Sequence, residues 1–433
     1  MPLQDEATDV LARLVRFRTV NPPGDERALQ EWLRDYLAEA GFDVELAGAA
    51  DERPNLVARL AAEDGAEGPV LGFLSHADTV LADPADWERD PWGAEVVDGF
   101  LWGRGSLDMK SQTAAEVVAA AQLARSGWRP ARGELKLICV VDEETGGEQG
   151  AQWLTEQRPD LARCSYLVNE GGGAAMPYAG RRLYGVCCAE KGTFRFVVRA
   201  RGRAGHASVP ALGENALLKL LPAIERLGAG RPGWDVTDPP RLLLEALGED
   251  GADPAAAIAA IAEREPRLSA LVEPMLRITF APTMIAASEK INVIPARAEA
   301  RVDGRVPPGL GRADVERRLG EVMGGDGLEV EFVEEVVGNG SAVDTPLMDA
   351  IRDWAAATDP EAEVVPTILP AFTDSRWWRH AFPDCVAYGF FPHRHQSWYE
   401  TYPLLHAPDE RIDLRDLGLA AGCYSSIINR LLG

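Results

Sequence analysis

Leu135–Gly147 reads LKLICVVDEETGG. Its first seven residues are short-range, mostly apolar and partly β-branched, and the run halts at Gly146-Gly147, which predicts a buried strand of an α/β sheet rather than a helix. Asp142, Glu143 and Glu144 follow at the carboxyl end of that strand. Open α/β sheets take their ligands at this edge. Adjacent carboxylates there repel one another, so either water solvates them, as in most short charge runs, or bound cations compensate them.

Working outward, Pro69–Ser75 (PVLGFLS) is a second buried-strand candidate and runs straight into His76-Ala77-Asp78. Residues i and i+2 of an extended chain point the same way, so His76 and Asp78 share a face. A carboxylate beside an imidazole fixes its tautomer and strengthens it as a metal ligand. Asp108, in Gly103–Lys110 (GRGSLDMK), precedes an Ala-rich helix predicted over 110–126 and reads either as a helix N-cap or as part of the same cluster. Tyr166–Glu170 (YLVNE) is another short strand ending in a carboxylate, followed by Gly171-Gly172-Gly173; glycine runs let a backbone approach a ligand closely. His, Asp, Glu-Glu and Glu thus each fall at a strand end or beside a glycine-rich loop, which favours cations over solvation.

The chain has 433 residues, 46% hydrophobic and 26% charged, with a formal net charge of −24. That length is a soft prior for two to three domains, and the acidity disfavours nucleic acid or an anionic membrane as the partner. No run approaches 18 apolar residues, so no membrane span is expected, and the first twenty residues lack a signal-peptide core. The six cysteines (139, 164, 187, 188, 385, 423) show no C-x-x-C spacing, so they read as reduced core residues in a cytoplasmic protein.

Helices are predicted at 5–18 and 25–40, broken by Thr19–Gly24 (TVNPPG), and short strands at 43–47 and 55–60. Near residue 190 the pattern changes. Thr193–Arg201 (TFRFVVRAR) alternates apolar and polar as a sheet with one solvated face does. A helix at 213–227, strands at 276–285 and 291–304, a helix at 312–323 and a strand at 328–336 give a β-α-β-β-α-β order, with a helical insertion at 230–272. The first domain resumes with a helix at 345–357, a strand at 385–391, a loop holding His393 and His395, and a closing helix at 415–431. The expected division is therefore 1–189 with 338–433, and an inserted domain at 190–337.

Two imidazoles and several carboxylates without a thiolate suit zinc or a similar borderline metal. A pair of such ions can hold a hydroxide and polarise a carbonyl together, while one of the two adjacent glutamates stays free as a base.

With these motifs the chain resembles the di-zinc hydrolase family of acetylornithine deacetylase, succinyl-diaminopimelate desuccinylase, glutamate carboxypeptidase, aminoacylase and the yeast-type carboxypeptidase S. The resemblance runs from about residue 10 to the C-terminus on SHADT, GRGSLDMK, VDEETGG, NEGGG, GHASVP, INVIP, TDSR and HAPDE, in that order. Trp87, Pro91-Trp92 and Thr373–Arg379 look most like the aminoacylase and carboxypeptidase S branch. It implies an α/β fold: a zinc-exopeptidase-type catalytic domain with a mostly parallel central sheet and flanking helices, plus an inserted α+β ferredoxin-like lid and dimerisation domain.

It further implies two Zn2+, with Co2+ or Mn2+ as alternatives, bridged by Asp108. His76 and Glu170 complete one ion, Glu144 and His406 the other; Glu143 is the general base and Asp78 orients His76. A cis peptide is implied at Asp108–Met109. His206 would reach into the site of a homodimer partner to stabilise an oxyanion, or stand as a plain surface-loop histidine. Asn292 would help at the same place. Arg376 is the candidate for binding a substrate α-carboxylate, or else forms a structural ion pair with Asp374. One departure stands out: Ser111-Gln112 occupies positions where many relatives have a glycine pair. The implied reaction is hydrolysis of the amide of an N-acyl amino acid or of a C-terminal peptide bond, a small-molecule substrate in either case. The competing readings are a dipeptidase or carboxypeptidase rather than a deacylase, and a non-catalytic relative that keeps the scaffold for ligand binding.

Overall fold

The computed structural model describes residues 1–323 and 327–433. They form two compact units: Met1–Cys188 with Gly340–Thr367 and Thr373–Gly433, and Ala189–Asn339 with Ile368–Phe372.

The larger unit is built on a ten-stranded mixed sheet. Its centre is parallel. Glu134–Val140, Val70–His76, Tyr166–Asn169 and Val386–Gly389 lie side by side in one direction, and antiparallel pairs flank them, such as Asn55–Ala61 on Glu134–Val140. Leu71, Phe73, Leu74, Leu135, Leu137 and Ile138 are all buried, as the near-continuous apolar runs of a sheet covered on both faces require. Register sets the level of the strand ends: His76 pairs with Val140, and Gly389 with Asn169. The chain therefore leaves these strands along one edge.

The helix Lys110–Arg125 packs between Leu3–Arg16 and Leu414–Leu432. Ala114, Ala115, Ala119, Ala120 and Ala121 are fully buried, and their small side chains allow helices to approach on more than one face. Its N-cap position is Met109, with no side-chain cap bond, so Asp108 does not serve as the N-cap. A small sheet that the sequence pattern did not reveal lies beside this helix start: Arg411–Asp413 pairs antiparallel with Phe100–Trp102, which pairs with Glu95–Val97. It brings the segment before residue 411 against the segment after residue 102. A further correction concerns His393 and His395: their segment, expected as a loop, is a strand, His393–Ser397, parallel to Ala174–Tyr178.

The smaller unit has a four-stranded antiparallel sheet in the order Thr279–Ala286, Arg297–Val306, Gly192–Arg201, Glu329–Val336. Phe194, Phe196, Val198 and Ala200 point into a core that includes Leu220 and Leu227 of the helix Ala216–Ala229 and Val315 and Leu319 of Arg312–Met323. The alternate residues face water: Arg199 pairs with Glu299 at 3.1 Å and Arg201 with Glu329 at 2.8 Å. The strand expected over 291–304 is split, with a two-residue ribbon at Val293–Ile294 before Arg297–Val306. The segment 230–272 holds three helices, Asp238–Ala246, Pro254–Arg264 and Pro266–Val272. No helix among the described residues is long and apolar enough to cross a membrane.

Candidate active site

Side chains from five chain segments meet at the sheet edge of the larger unit. His76 ends its strand and is 1% exposed. Its Nε2 lies 3.2 Å from Asp108 Oδ1 and 3.8 Å from Glu170 Oε1. The other carboxylate oxygen of Asp108 faces a second imidazole: His406 Nε2 is 3.0 Å from Asp108 Oδ2 and 3.4 Å from Glu144 Oε2. One carboxylate thus stands between two histidines, one oxygen to each. Ligand atoms of His76, Glu143 and Glu170, and of His76, Asp108 and Glu144, fall within 4.8 Å of one another in two overlapping groups. The Asp108–Met109 peptide is cis.

Local structure holds each group in place. Asp142 takes a left-handed conformation at φ 73°, and Glu143–Thr145 form one 3-10 turn. The turn is closed by Gly147 N–H donating to Asp142 O at 2.7 Å. Gly147 is itself at φ +77°, and a Cβ there would sit 2.6 Å from Asp374 Oδ1, so a side chain at this position is excluded twice over. The Asp142 carboxylate accepts from Thr145 Oγ1 (2.7 Å), Gln149 N (3.1 Å), Asn21 Nδ2 (3.2 Å) and Arg53 Nη1 (3.2 Å).

Asp78 is fully buried and does more than face His76. Its oxygens accept from Glu143 N and Glu144 N, each at 3.2 Å, and from Asn21 Nδ2 at 2.9 Å, while its Oδ1 lies 3.5 Å from His76 Nδ1. Glu410 plays the matching part on the other side. It is fully buried and accepts from Leu107 N (2.6 Å), Asp108 N (3.0 Å), Gly105 N (3.1 Å) and Arg104 Nη1 (2.5 Å). The loop that carries His406 therefore clasps the loop that carries Asp108.

The electrostatics are those of a crowded acidic cluster. Burial first, and then the charge of Glu170, push the Glu143 carboxyl well above the usual carboxylate range. Burial and Asp108 raise Glu170 in the same way. Hydrogen bonds to Asp108 and Glu144 push His406 up to about 10. Burial opposes the protonated form of His76, but its bonds to Asp108 and Asp78 outweigh that and raise it well above the ordinary value. Carboxylates and imidazoles that share protons in this way form a donor set of nitrogen and oxygen that fits divalent cations.

The remaining predicted residues divide between the two units. Arg376 Nη2 donates to Gly146 O at 2.8 Å, beside the glutamate turn, and its guanidinium sits 4.7 Å from the Trp377 ring centroid. His206 and Asn292 belong to the smaller unit, where they adjoin: His206 pairs with Val293 in the two-residue ribbon, and Ala207 N donates to Asn292 O at 3.1 Å. His206 is exposed, and its Nδ1 is 2.7 Å from Ser208 Oγ. His393 is buried against Phe391, while His395 is exposed. Sequence reasoning passed over Asn21, Arg53 and Glu410. Two of them stand in motifs already visible, NPPG and HAPDE, but nothing in a motif shows which backbone amides a carboxylate will accept.

The chain matches peptidase family M20/M25/M40 over residues 72–430. A succinyl-diaminopimelate desuccinylase of Thioalkalivibrio sulfidiphilus is 31% identical over 236 residues, 53% of this chain and 58% of that protein. One from Cereibacter sphaeroides is 34% identical over 238 residues, 57% of that protein. The match thus spans somewhat more than half the length of these desuccinylases. The N-fatty-acyl-amino acid synthase/hydrolase PM20D1.1 of Danio rerio is 29% identical over 384 residues, 82% of this chain and 71% of that protein. Among solved structures, the metallo-carboxypeptidase Sso-CP2 of Sulfolobus solfataricus superposes with a TM-score of 0.75 at 17% identity, covering 99% of both chains. Human carnosine dipeptidase 1 gives 0.72 at 15% identity, covering 99% of this chain and 96% of that one. At these identities the likeness is one of fold.

Proposed function

We propose, from the premise that this chain belongs to peptidase family M20/M25/M40, that it is a metal-dependent hydrolase that cleaves the amide of an N-acyl amino acid or a C-terminal peptide bond and releases a free amino acid. The observation that carries the reading is the placement of Asp108 between His76 and His406, one oxygen to each, with Glu143 alongside. Asp108 would bridge two cations, His76 and Glu170 completing one and Glu144 and His406 the other. We propose zinc as the metal, because imidazole and carboxylate donors without thiolate suit it. When bound, the ions supply Lewis acidity toward a carbonyl oxygen and acidify a water enough for attack near neutral pH.

The chain's own residues do the rest. Glu143 takes the proton of the attacking water and returns it to the leaving amine, a role supported by its place beside the ligand atoms of His76 and Glu170. Asp78 keeps the His76 ring oriented with Nε2 toward Asp108. Arg376 offers a planar fork to the substrate α-carboxylate. His206, supplied by a second copy of the chain, donates to the developing oxyanion with Asn292 at the same place. The working form is then a homodimer, and the buried cysteine thiols suit a reducing cytoplasm.

The test is a panel of N-acyl amino acids and dipeptides offered to the zinc-loaded protein, beside Glu143→Ala. Hydrolysis of one series ranks deacylase against peptidase. Glu143→Ala should keep its metal and lose about 10²–10⁴-fold in kcat; unchanged hydrolysis by this variant would remove Glu143 from its role.

A further inference from the structure

Asn21 lies in the break Thr19–Gly24, ahead of the residues 72–430 that match the family, and its side chain hydrogen-bonds to none of the five residues assigned to the metals. It is 5% exposed. Its side-chain amide reaches Asp78 Oδ2 at 2.9 Å, Thr145 Oγ1 at 3.0 Å and Asp142 Oδ1 at 3.2 Å. All three can accept, Thr145 because its own proton goes to Asp142, so this network fixes which end of the amide is nitrogen. We propose that Asn21 is a positioning residue for the base-bearing turn: through one NH2 group it ties Asp78, on the His76 side, to Asp142 and Thr145, which open and close the turn presenting Glu143 and Glu144.

The need for such a tie follows from charge. Asp78 and Asp142 are both buried carboxylates within hydrogen-bond reach of one nitrogen, and alone they would push apart. Arg53 offsets the charge on the Asp142 side at 3.2 Å, itself held by a bidentate pair with Glu26. Asn21 supplies the donor between them without adding charge. Its backbone is anchored to the same loop that follows His76: Asn21 N donates to Thr79 O at 3.0 Å, Thr79 N to Thr19 O at 2.9 Å, and Thr19 Oγ1 to Ala77 O at 2.6 Å. The His76 loop and the Glu143–Glu144 turn thus share one reference point in a segment that carries no catalytic group. Groups held to a fraction of an ångström need this kind of support from behind.

The proposal rests on the hydrolase reading, so the experiment separates the two. Wild type, Asn21→Ala, Thr145→Val and the double variant are loaded with Co2+. Their Co2+ affinity is measured by chelator competition, their visible Co2+ spectrum recorded, and kcat and KM determined on the best amide of the panel. Asn21→Ala should lose about 10–100-fold in Co2+ affinity or kcat, with KM within about twofold and a shifted spectrum, while thermal unfolding of the metal-free protein stays near wild type. Thr145→Val should move the same readouts by a smaller factor, and the double variant should lose less than the product of the single losses, because both remove one network. Wild-type affinity, spectrum and kcat in Asn21→Ala, or losses that simply multiply in the double variant, would overturn the proposal. Should wild type cleave no amide, the hydrolase reading falls while affinity and spectrum still decide on Asn21. Should Asn21→Ala fail to fold, Thr145→Val decides alone, and wild-type behaviour there overturns the proposal.

Discussion

His393 and Glu410 show what a single buried group does for this molecule. Burial lowers the proton affinity of His393 below its ordinary value of 6.5, outweighing the pull of Asp416 and Asp413. The unfolded chain therefore takes up this proton before the folded one does. Stability from this residue is complete above pH 6.5 and is lost as pH falls below it toward the folded value. Unfolding in urea at a series of pH values should show that loss, and His393→Gln should flatten it. Glu410 is a different case, a buried charge whose partners are Arg104 and three backbone amides. Glu410→Gln turns an acceptor into a donor facing Arg104 and Gly105. Breaking a buried pair in this way costs about 3–5 kcal/mol, which denaturant midpoints would register, and it should also loosen metal binding by freeing the Asp108 loop.

At the scale of elements, the helix Lys110–Arg125 sits where several layers press together. With Ala120 at 0% exposure, Ala120→Leu must displace a neighbouring helix or strand, at a cost of about 1–3 kcal/mol. A urea midpoint that falls with an unchanged slope is the expected result. Elements of this kind were legible from sequence because length and composition define them: the short apolar run PVLGFLS ends in a strand at His76, and the longer Ala-rich segment is a helix. The small sheet that brings Arg411–Asp413 onto Phe100–Trp102 was not legible. Its strands are three residues each, too short to show a period, and pairing between positions so far apart in sequence leaves no local trace. The same holds for His393–Ser397, where HRHQS carries no β-branched or apolar alternation and strand pairing with Ala174–Tyr178 decides the conformation. At the cluster itself, His76, Glu144 and Glu170 were legible at strand ends, while Asp108 stood open between helix N-cap and cluster member and His406 joined them only through the family resemblance; of the supports behind them Asp78 was legible, and Asn21, Arg53 and Glu410 were not.

For the whole molecule, the proposed cations and the fold are linked. A cluster of buried carboxylates that repel one another is a liability until it is compensated, so metal removal should lower the unfolding temperature of the entire protein and restoration should raise it. At a free metal concentration 100 times Kd the gain is about 2.7 kcal/mol; calorimetry with chelator and with Zn2+ or Co2+ measures it, and no shift at all would argue against a site of this kind. Sedimentation velocity on the metal-loaded protein should show a dimer, the assembly that the role given to His206 requires.

The larger unit is discontinuous in sequence, and this has a bearing on how the chain comes into being. Glu410 grips Asp108 N from 302 residues away. During synthesis at about 5–20 residues per second, the Asp108 loop therefore waits roughly 15–60 s on the ribosome without its clasp. Throughout that interval the proposed second cation position lacks His406, so metal pairing there, like the clasp itself, follows only once that distant segment has been made.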